Sequence, residues 1–152
     1  MTSEDLISIG YDQQAATHIL TLLSQEALLE RYIQKAAEMD CAPITRLTST
    51  YPLRLRQRLK LNCPGALWSK GDMSFLSMPA ISLVGSRDLQ PENRVFAREV
   101  GKQAALQGFV LISGNARGAD LTAQESCLEH DGKVISIVAD RPSFIKSAPN
   151  EP

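Results

Sequence analysis

The sequence lacks any long hydrophobic run. None approaches the roughly 18 consecutive apolar residues that a membrane-spanning helix needs. The first ten residues, MTSEDLISIG, also lack the basic segment and the apolar core of a secretion signal. We therefore expect a cytoplasmic protein with no membrane partner.

Cysteine is scarce and scattered. The three cysteines, Cys41, Cys63 and Cys127, form no CxxC pair, whereas a zinc site or a disulfide framework would need regular clustering. The two histidines, His18 and His130, are also isolated. We expect free thiols and no metal site.

The net charge of −1 conceals an uneven distribution of charge. Residues 1–40 carry seven acidic and two basic side chains, whereas residues 41–70 carry six basic and no acidic ones. Such a block is either a contact for a polyanion or a solvated face that balances the acidic N-terminus. The residues of a possible accessory basic patch are Arg54, Arg56, Arg58 and Lys60.

Residues 1–45 read as a small helical N-terminal region. Apolar residues at helical spacing predict one helix over 13–23 and another over 24–39, with Ser24 as the N-cap of the second. Beyond this region, Pro52 can open a short helix whose Leu55 and Leu59 face inward.

Residues 46–152 are predicted to form a Rossmann-like domain of the α/β class, a parallel sheet flanked by helices. Three apolar runs, 80–84, 109–112 and 133–138, alternate with two helical segments. Short loops and right-handed crossovers make this a parallel βαβαβ unit. The 80–84 run is expected to be buried on both faces. The helix that opens at Pro91 is expected to turn Phe96, Val100 and Ala104 inward.

Polar loops, GSRD and SGNARGAD, follow the first two strands. Ligands of open α/β sheets bind at the carboxyl ends of strands, and helix starts there favour anions. Glycines permit positive φ and close approach, and arginine forks match phosphate. The candidate phosphate or DNA contacts are Gly85, Ser86, Arg87, Ser113, Gly114, Asn115, Arg117, Gly118 and Asp120.

Enzyme signatures are missing around these loops. Neither loop matches GxGxxG or the GxxxxGK[ST] P-loop, and no nucleophile–base pair or carboxylate pair stands out. We expect no catalytic residues, no cofactor and no bound metal. A tight turn with Asp120 as a simple N-cap is the plain structural alternative.

The segments YPLRLRQRL, PGALWSKGD, ISLVGSRD, QGFVLISGNARGADLTAQESCL and GKVISIVA together resemble the DNA-processing protein A family, also called Smf. The resemblance covers about residues 43–139. It implies a protein that binds single-stranded DNA, protects it, and helps to load a RecA-type recombinase during natural transformation and recombination. Carried over by motif, the DNA contacts are Arg87, Ser113, Gly114, Arg117 and Gly118.

The chain departs from the family pattern at three points. Gln124 stands where the family often has histidine. The first loop lacks the serine, tyrosine and glycine that usually follow GSR in the family and has LQPEN instead. The family's domain also continues beyond the point matching Pro152, so the resemblance implies a truncated or divergent short member.

The alternative function is a nucleotide-binding enzyme or sensor of the wider Rossmann-like phosphoribohydrolase group, and a third possibility is an inert fragment.

Three parallel strands leave two sheet edges to cover. The outer runs, 80–84 and 133–138, are apolar enough to need neighbours on both sides. We therefore expect a homo-oligomer at high concentration.

Overall fold

The computed structural model describes residues 1–138, which form two compact units. The first contains residues 1–45 and 66–70, and the second contains residues 46–65 and 71–138 of the described range. In this part of the chain, no helix is both long and apolar enough to cross a membrane.

The first unit consists of three helices and one pair of antiparallel strands. The elements are α1 (Ser3–Ser8), α2 (Gln13–Leu23), α3 (Glu26–Ala37), β1 (Cys41–Thr45) and β2 (Ala66–Lys70). The two strands pair from Cys41 opposite Lys70 to Thr45 opposite Ala66. The side chains buried in this unit are small or medium-sized apolar groups, namely Leu6, Ala16, Ala36 and Ile44.

Helix α2 is confirmed at its predicted bounds, but the predicted N-cap of α3 is wrong. Ser24 ends α2 instead, and its hydroxyl donates to the Thr21 carbonyl at 2.8 Å. A further helix, α1, was not predicted, although its capping box was readable. Thr2 Oγ1 accepts from the Asp5 N–H, and the Thr2 N–H donates to the Asp5 carboxylate. This N–H, followed by the Thr2 side chain, holds the pKa of Asp5 below its usual value.

The predicted short helix after Pro52 is present as α4 (Leu53–Leu59), followed by a 3-10 turn over Lys60–Asn62. Leu55 is half-buried, but Leu59, the last residue of the helix, is 42% exposed, so the prediction that both leucines face inward is wrong for Leu59. The side chains of the basic patch are all exposed on or just after this helix, at Arg54, Arg56, Arg58 and Lys60.

Arg46, the first arginine of the basic segment 41–70, forms hydrogen bonds within the protein. Arg46 Nη2 donates to the carbonyls of Leu61 and Cys63, and its Nε donates to the carbonyl of Pro64 at 3.2 Å. The hydroxyl of Tyr51 donates to the same Pro64 carbonyl at 2.6 Å. Arg46 therefore closes the segment that carries α4.

The second unit is built on a three-stranded parallel sheet. In chain order its elements are β3 (Ala80–Ser82), α5 (Pro91–Leu106), β4 (Val110–Ser113), α6 (Ala119–Glu129) and β5 (Lys133–Ser136). The strands lie in the order β3-β4-β5, and both pairs are parallel. The predicted fold class, a Rossmann-like parallel sheet flanked by helices, is thereby confirmed.

Two burial predictions fail in this unit. Within the described residues β3 pairs only with β4, so it is an edge strand, and Ala80 and Ser82 are exposed. Phe96 of α5 is 66% exposed rather than packed inward. The core consists of smaller side chains, centred on Ala97, Ala104, Leu111, Ala123 and Cys127. Self-association through the sheet edges stays a prediction.

A glycine allows α5 and α6 to approach closely. A Cβ at Gly101 would lie 2.1 Å from the carbonyl oxygen of Ala123, an atom of the α6 backbone that cannot rotate away. The two helices can therefore pack this closely only because position 101 has no side chain.

Replacing Gly101 with alanine tests this contact. Alanine favours a helix by about 1 kcal/mol over glycine, but the clash with α6 should dominate and lower the free energy of unfolding by about 1–3 kcal/mol. Urea denaturation measures the change. Gly65→Ala is the control, because nothing lies within 4 Å of its Cβ position. Equal stability of both variants would show that the helices separate without cost.

Candidate nucleic-acid interface

Two loops meet at the carboxyl ends of β3 and β4. We call residues 85–90 the β3 loop and residues 114–118 the β4 loop. The Ala119 N–H, at the start of α6, donates to the Ser86 carbonyl at 3.0 Å. A Cβ at Gly85 would lie 2.6 Å from the Cβ of Ala119, so glycine is required there by close packing. The start of α6 therefore lies directly against the β3 loop.

One buried carboxylate joins the two loops. Asp120, which is 4% exposed, accepts from the Gly85 N–H at 3.3 Å and from the Gly114 N–H at 2.9 Å, through different oxygens. It is not the N-cap of α6, because Gly118 holds that position. The anion held by these backbone groups is thus the protein's own side chain.

Only some of the loop glycines adopt the positive φ that glycine permits. Of the three loop glycines, Gly118 alone has it, at 94°, while Asn115 adopts 56°. Asparagine tolerates this region better than most residues. A Cβ at Gly118 would lie 2.3 Å from the Ser86 carbonyl oxygen, so this glycine serves both the turn and the contact between the loops.

A second buried polar group ties α6 to the sheet. Gln124 Nε2 donates to Ser113 Oγ at 2.6 Å, and the Ser136 hydroxyl donates to Gln124 Oε1 at 3.2 Å. Ser113 and Ser136 are directly opposite each other at the ends of β4 and β5. Ser113 is 3% exposed, so its hydroxyl faces this network and not the loop surface.

Sequence reasoning missed the network of Gln124 and Ser136. Its signal was present in two places. Both strands end in Ile-Ser, and Asp120 and Gln124 are four residues apart, which places them on one face of a helix. Polar residues on a buried helix face need partners, and the strand ends supply them.

The exposed rim of the two loops carries the charge. Arg87, Ala116 and Arg117 line an open depression of about 360 Å³. Arg117 Nη2 forms an ion pair of 2.8 Å with Asp88, and both side chains are mostly exposed. Within residues 1–138, Arg87 forms no ion pair. The Ser86 hydroxyl donates to the Asp88 carbonyl and accepts from the Asp88 N–H, which closes a local turn.

The predicted site residues therefore separate into two groups. The rim contains Ser86, Arg87, Asn115 and Arg117, while the group turned inward or held by internal hydrogen bonds contains Gly85, Ser113, Gly114, Gly118 and Asp120. The accessory residues on and after α4 belong to a different element of the same unit.

Clusters of the usual metal-ligating side chains are absent from the described residues. No group of three or more His, Cys, Asp or Glu side chains in this range is placed to hold a metal ion. The three cysteines are free, and burial raises the pKa of the Cys127 thiol. What the rim offers chemically is a pair of guanidinium groups, which suit phosphate oxygens.

Comparison with known proteins identifies related sequences. Residues 42–151 match the family described as DNA recombination-mediator protein A. The DNA processing protein DprA of Bacillus subtilis is 26% identical over 141 residues, which is 91% of this chain and 47% of that protein. DprA of Streptococcus pneumoniae is 32% identical over 79 residues, 51% of this chain and 27% of that protein. The chain thus spans less than half the length of these relatives.

Two solved structures share the fold. The X-ray structure of DprA from Streptococcus pneumoniae matches with a TM-score of 0.71 at 25% identity, over 91% of this chain and 46% of that one. DprA from Helicobacter pylori, whose structure is described in terms of its single-stranded DNA binding mode, matches with a TM-score of 0.50 at 24% identity. This second match covers 63% of this chain and 41% of that one.

Replacing Gln124 with leucine tests the buried network. Leucine is similar in size but leaves Ser113 without its donor and Ser136 without its acceptor. We expect the free energy of unfolding to fall by about 1–3 kcal/mol. Chemical denaturation provides the measurement.

Glu125→Leu is the matched control, since residue 125 is the exposed neighbour on the same helix. It should change stability by less than about 0.5 kcal/mol. If the two variants lose stability equally, the loss reflects a general effect of leucine on α6 and not the network.

Proposed function

This chain belongs to the DNA recombination-mediator protein A family, and from that premise we propose that it binds single-stranded DNA and acts in DNA processing during natural transformation and recombination. The observation that carries the proposal is the rim of the two loops. Arg87 and Arg117 line one open depression there, at the end of the sheet where α/β folds hold their ligands. The relatives' names, which refer to DNA processing, support the same assignment.

The shape and charge of the rim suit a polymer. The depression is open to solvent, and a backbone of phosphodiesters can run across it while each arginine binds one phosphate. Because Arg117 is paired with Asp88, Arg87 is the guanidinium ready to bind the first phosphate. Binding of this kind depends strongly on salt and little on base sequence.

The basic residues of α4 extend this proposal. Two arginines alone give a weak site, since Asp88 offsets part of their charge. The exposed side chains of Arg54, Arg56, Arg58 and Lys60 add positive charge in the same unit, without acidic neighbours in the 41–70 segment. We propose that they attract the strand over a longer distance, which raises the association rate.

The proposal assigns binding and not catalysis to the chain. By its family resemblance, the bound strand would be protected and then passed to a RecA-type recombinase, the proposed protein partner. A homo-oligomer is proposed through the outer edges of β3 and β5, which pair only with β4 among residues 1–138. This chain spans less than half the length of its relatives, and we propose the same DNA-processing role for it.

The rim arginines can be tested with a labelled oligo-dT strand. Arg87→Ala should weaken binding about tenfold at low salt, and the plot of log affinity against log salt should become shallower by about 0.7. Fluorescence anisotropy across a salt series gives both quantities. A panel of mononucleotides as competitors tests the alternative function, a small nucleotide ligand.

Arg98→Ala is the matched control. Arg98 forms an ion pair with Glu129, at the end of α6 remote from the loops. This variant should bind oligo-dT as the parent protein does. Equal affinity of Arg87→Ala and the parent at low salt would contradict the assignment of the rim, and efficient competition by a mononucleotide would favour the alternative.

Asp88→Asn should change affinity in the opposite direction. This substitution removes a negative charge from the rim and releases Arg117 from its ion pair. The same assay should show tighter binding of oligo-dT and a steeper dependence on salt. The fold should change little, because exposed ion pairs contribute about 0–1 kcal/mol. Weaker binding by Asp88→Asn would show that the ion pair orients Arg117 for DNA.

A further inference from the structure

Asp120 occupies the place where a phosphate sits in many α/β proteins. Its carboxylate accepts from the N–H groups of Gly85 and Gly114, which belong to the loops after two neighbouring parallel strands. In nucleotide-binding folds, backbone N–H groups at this end of the sheet hold phosphate oxygens. Here the two donors are already satisfied.

The space between the two glycines is filled. A Cβ at Gly114 would lie 3.1 Å from Asp120 Oδ2, and a Cβ at Gly85 would lie 2.6 Å from the Cβ of Ala119. Asp120 itself is 4% exposed. A second anion cannot reach both N–H groups while this side chain stays in position.

Capping of α6 does not explain the arrangement. Asp120 lies in the first turn of α6, but both of its donors belong to residues outside that helix. One donor is 35 positions away in the sequence. A residue that served only its own helix would accept from N–H groups of that helix.

We propose that Asp120 is the resident anion of this site and determines its specificity. It excludes the phosphate of a free mononucleotide from the backbone N–H groups, so that a ligand meets the exposed rim with Arg87 and Arg117 instead. Those side chains suit the backbone of a strand that passes over the surface. The exclusion of phosphate rests on the geometry of Asp120, and the second half of the inference rests on the proposed function.

The first test removes the carboxylate and supplies an anion from solution. Asp120→Ala leaves a gap that fits formate, which carries the same carboxylate group. Sodium formate, compared with sodium chloride at equal ionic strength, should raise the Tm of this variant by about 2–4 °C and leave the Tm of the parent protein unchanged. An identical response of the variant to formate and chloride would overturn the inference.

Inorganic phosphate tests the claim about specificity. It should raise the Tm of Asp120→Ala more than that of the parent protein, because only the variant has free N–H groups in the site. If phosphate stabilises the parent as strongly as the variant, Asp120 does not exclude it.

A milder variant covers the case in which Asp120→Ala does not fold. Asp120→Asn keeps one acceptor oxygen, so one of the two glycine N–H groups loses its partner. Hydrogen exchange at Gly85 or Gly114 should accelerate at least tenfold, while the Phe109 amide, which donates to the Ala104 carbonyl before the start of β4, should be unaffected. Glu125→Gln, the same type of substitution at an exposed position of α6, is the control and should leave both glycine amides unchanged. Parent-like exchange at both glycines in Asp120→Asn would contradict the inference.

The oligo-dT assay separates this inference from the proposed function. If the parent protein fails to bind oligo-dT, the proposed function fails, but rescue by formate still establishes Asp120 as the resident anion. If oligo-dT binds while formate rescues nothing, the function stands and the role of Asp120 is rejected.

Discussion

The hydrogen bonds of one buried carboxylate organise the ligand end of the sheet. By accepting from Gly85 and Gly114, Asp120 fixes the start of α6 against the loops after β3 and β4. Four residues later, Gln124 connects the same helix to the ends of β4 and β5. All three strand ends are thus held from one helix. Arg87 and Arg117 can be presented on a defined rim because the backbone beneath them is fixed.

This arrangement requires small residues elsewhere. Helix α6 can reach all three strand ends only if α5 leaves it room, and Gly101 provides that room beside Ala123. Gly118 serves the same purpose at the loops, where its neighbour is the Ser86 carbonyl. Close backbone approach therefore replaces bulky packing in much of this unit, and the core cluster contains three alanines and a cysteine around Leu111.

The sequence predicted the helices and strands better than it predicted which of their side chains are buried and which strands pair. Apolar runs and Pro91 located the strands and α5, because periodicity and proline geometry act locally. The exposure of Phe96 could not be read in this way, since it depends on what lies beside α5 in space. The strand β2 was missed for a similar reason, because its partner β1 is more than twenty residues away.

The site shows the same division. The two glycine-rich loops predicted contacts to phosphate or DNA, and those contacts stay a prediction. The sequence did not indicate that a carboxylate of the same chain accepts from the Gly85 and Gly114 N–H groups. That this carboxylate is Asp120 follows from the fold, which brings Gly85 next to α6. The count of basic residues also overstated how many basic side chains are available to a ligand. Arg46 donates to backbone carbonyls, and Arg117 is paired with Asp88.

The composition of the α6 interface has a consequence for temperature. Its buried side chains are small or polar, namely Ala119, Asp120, Thr122, Ala123, Gln124, Ser126 and Cys127. Exposing apolar surface raises the heat capacity on unfolding, whereas exposing polar surface lowers it. Burying these polar groups gives a smaller heat-capacity increment than an apolar interface of the same area would give. The hydrogen bonds that hold the loops therefore make the free energy of unfolding vary less with temperature than apolar packing at the same place would.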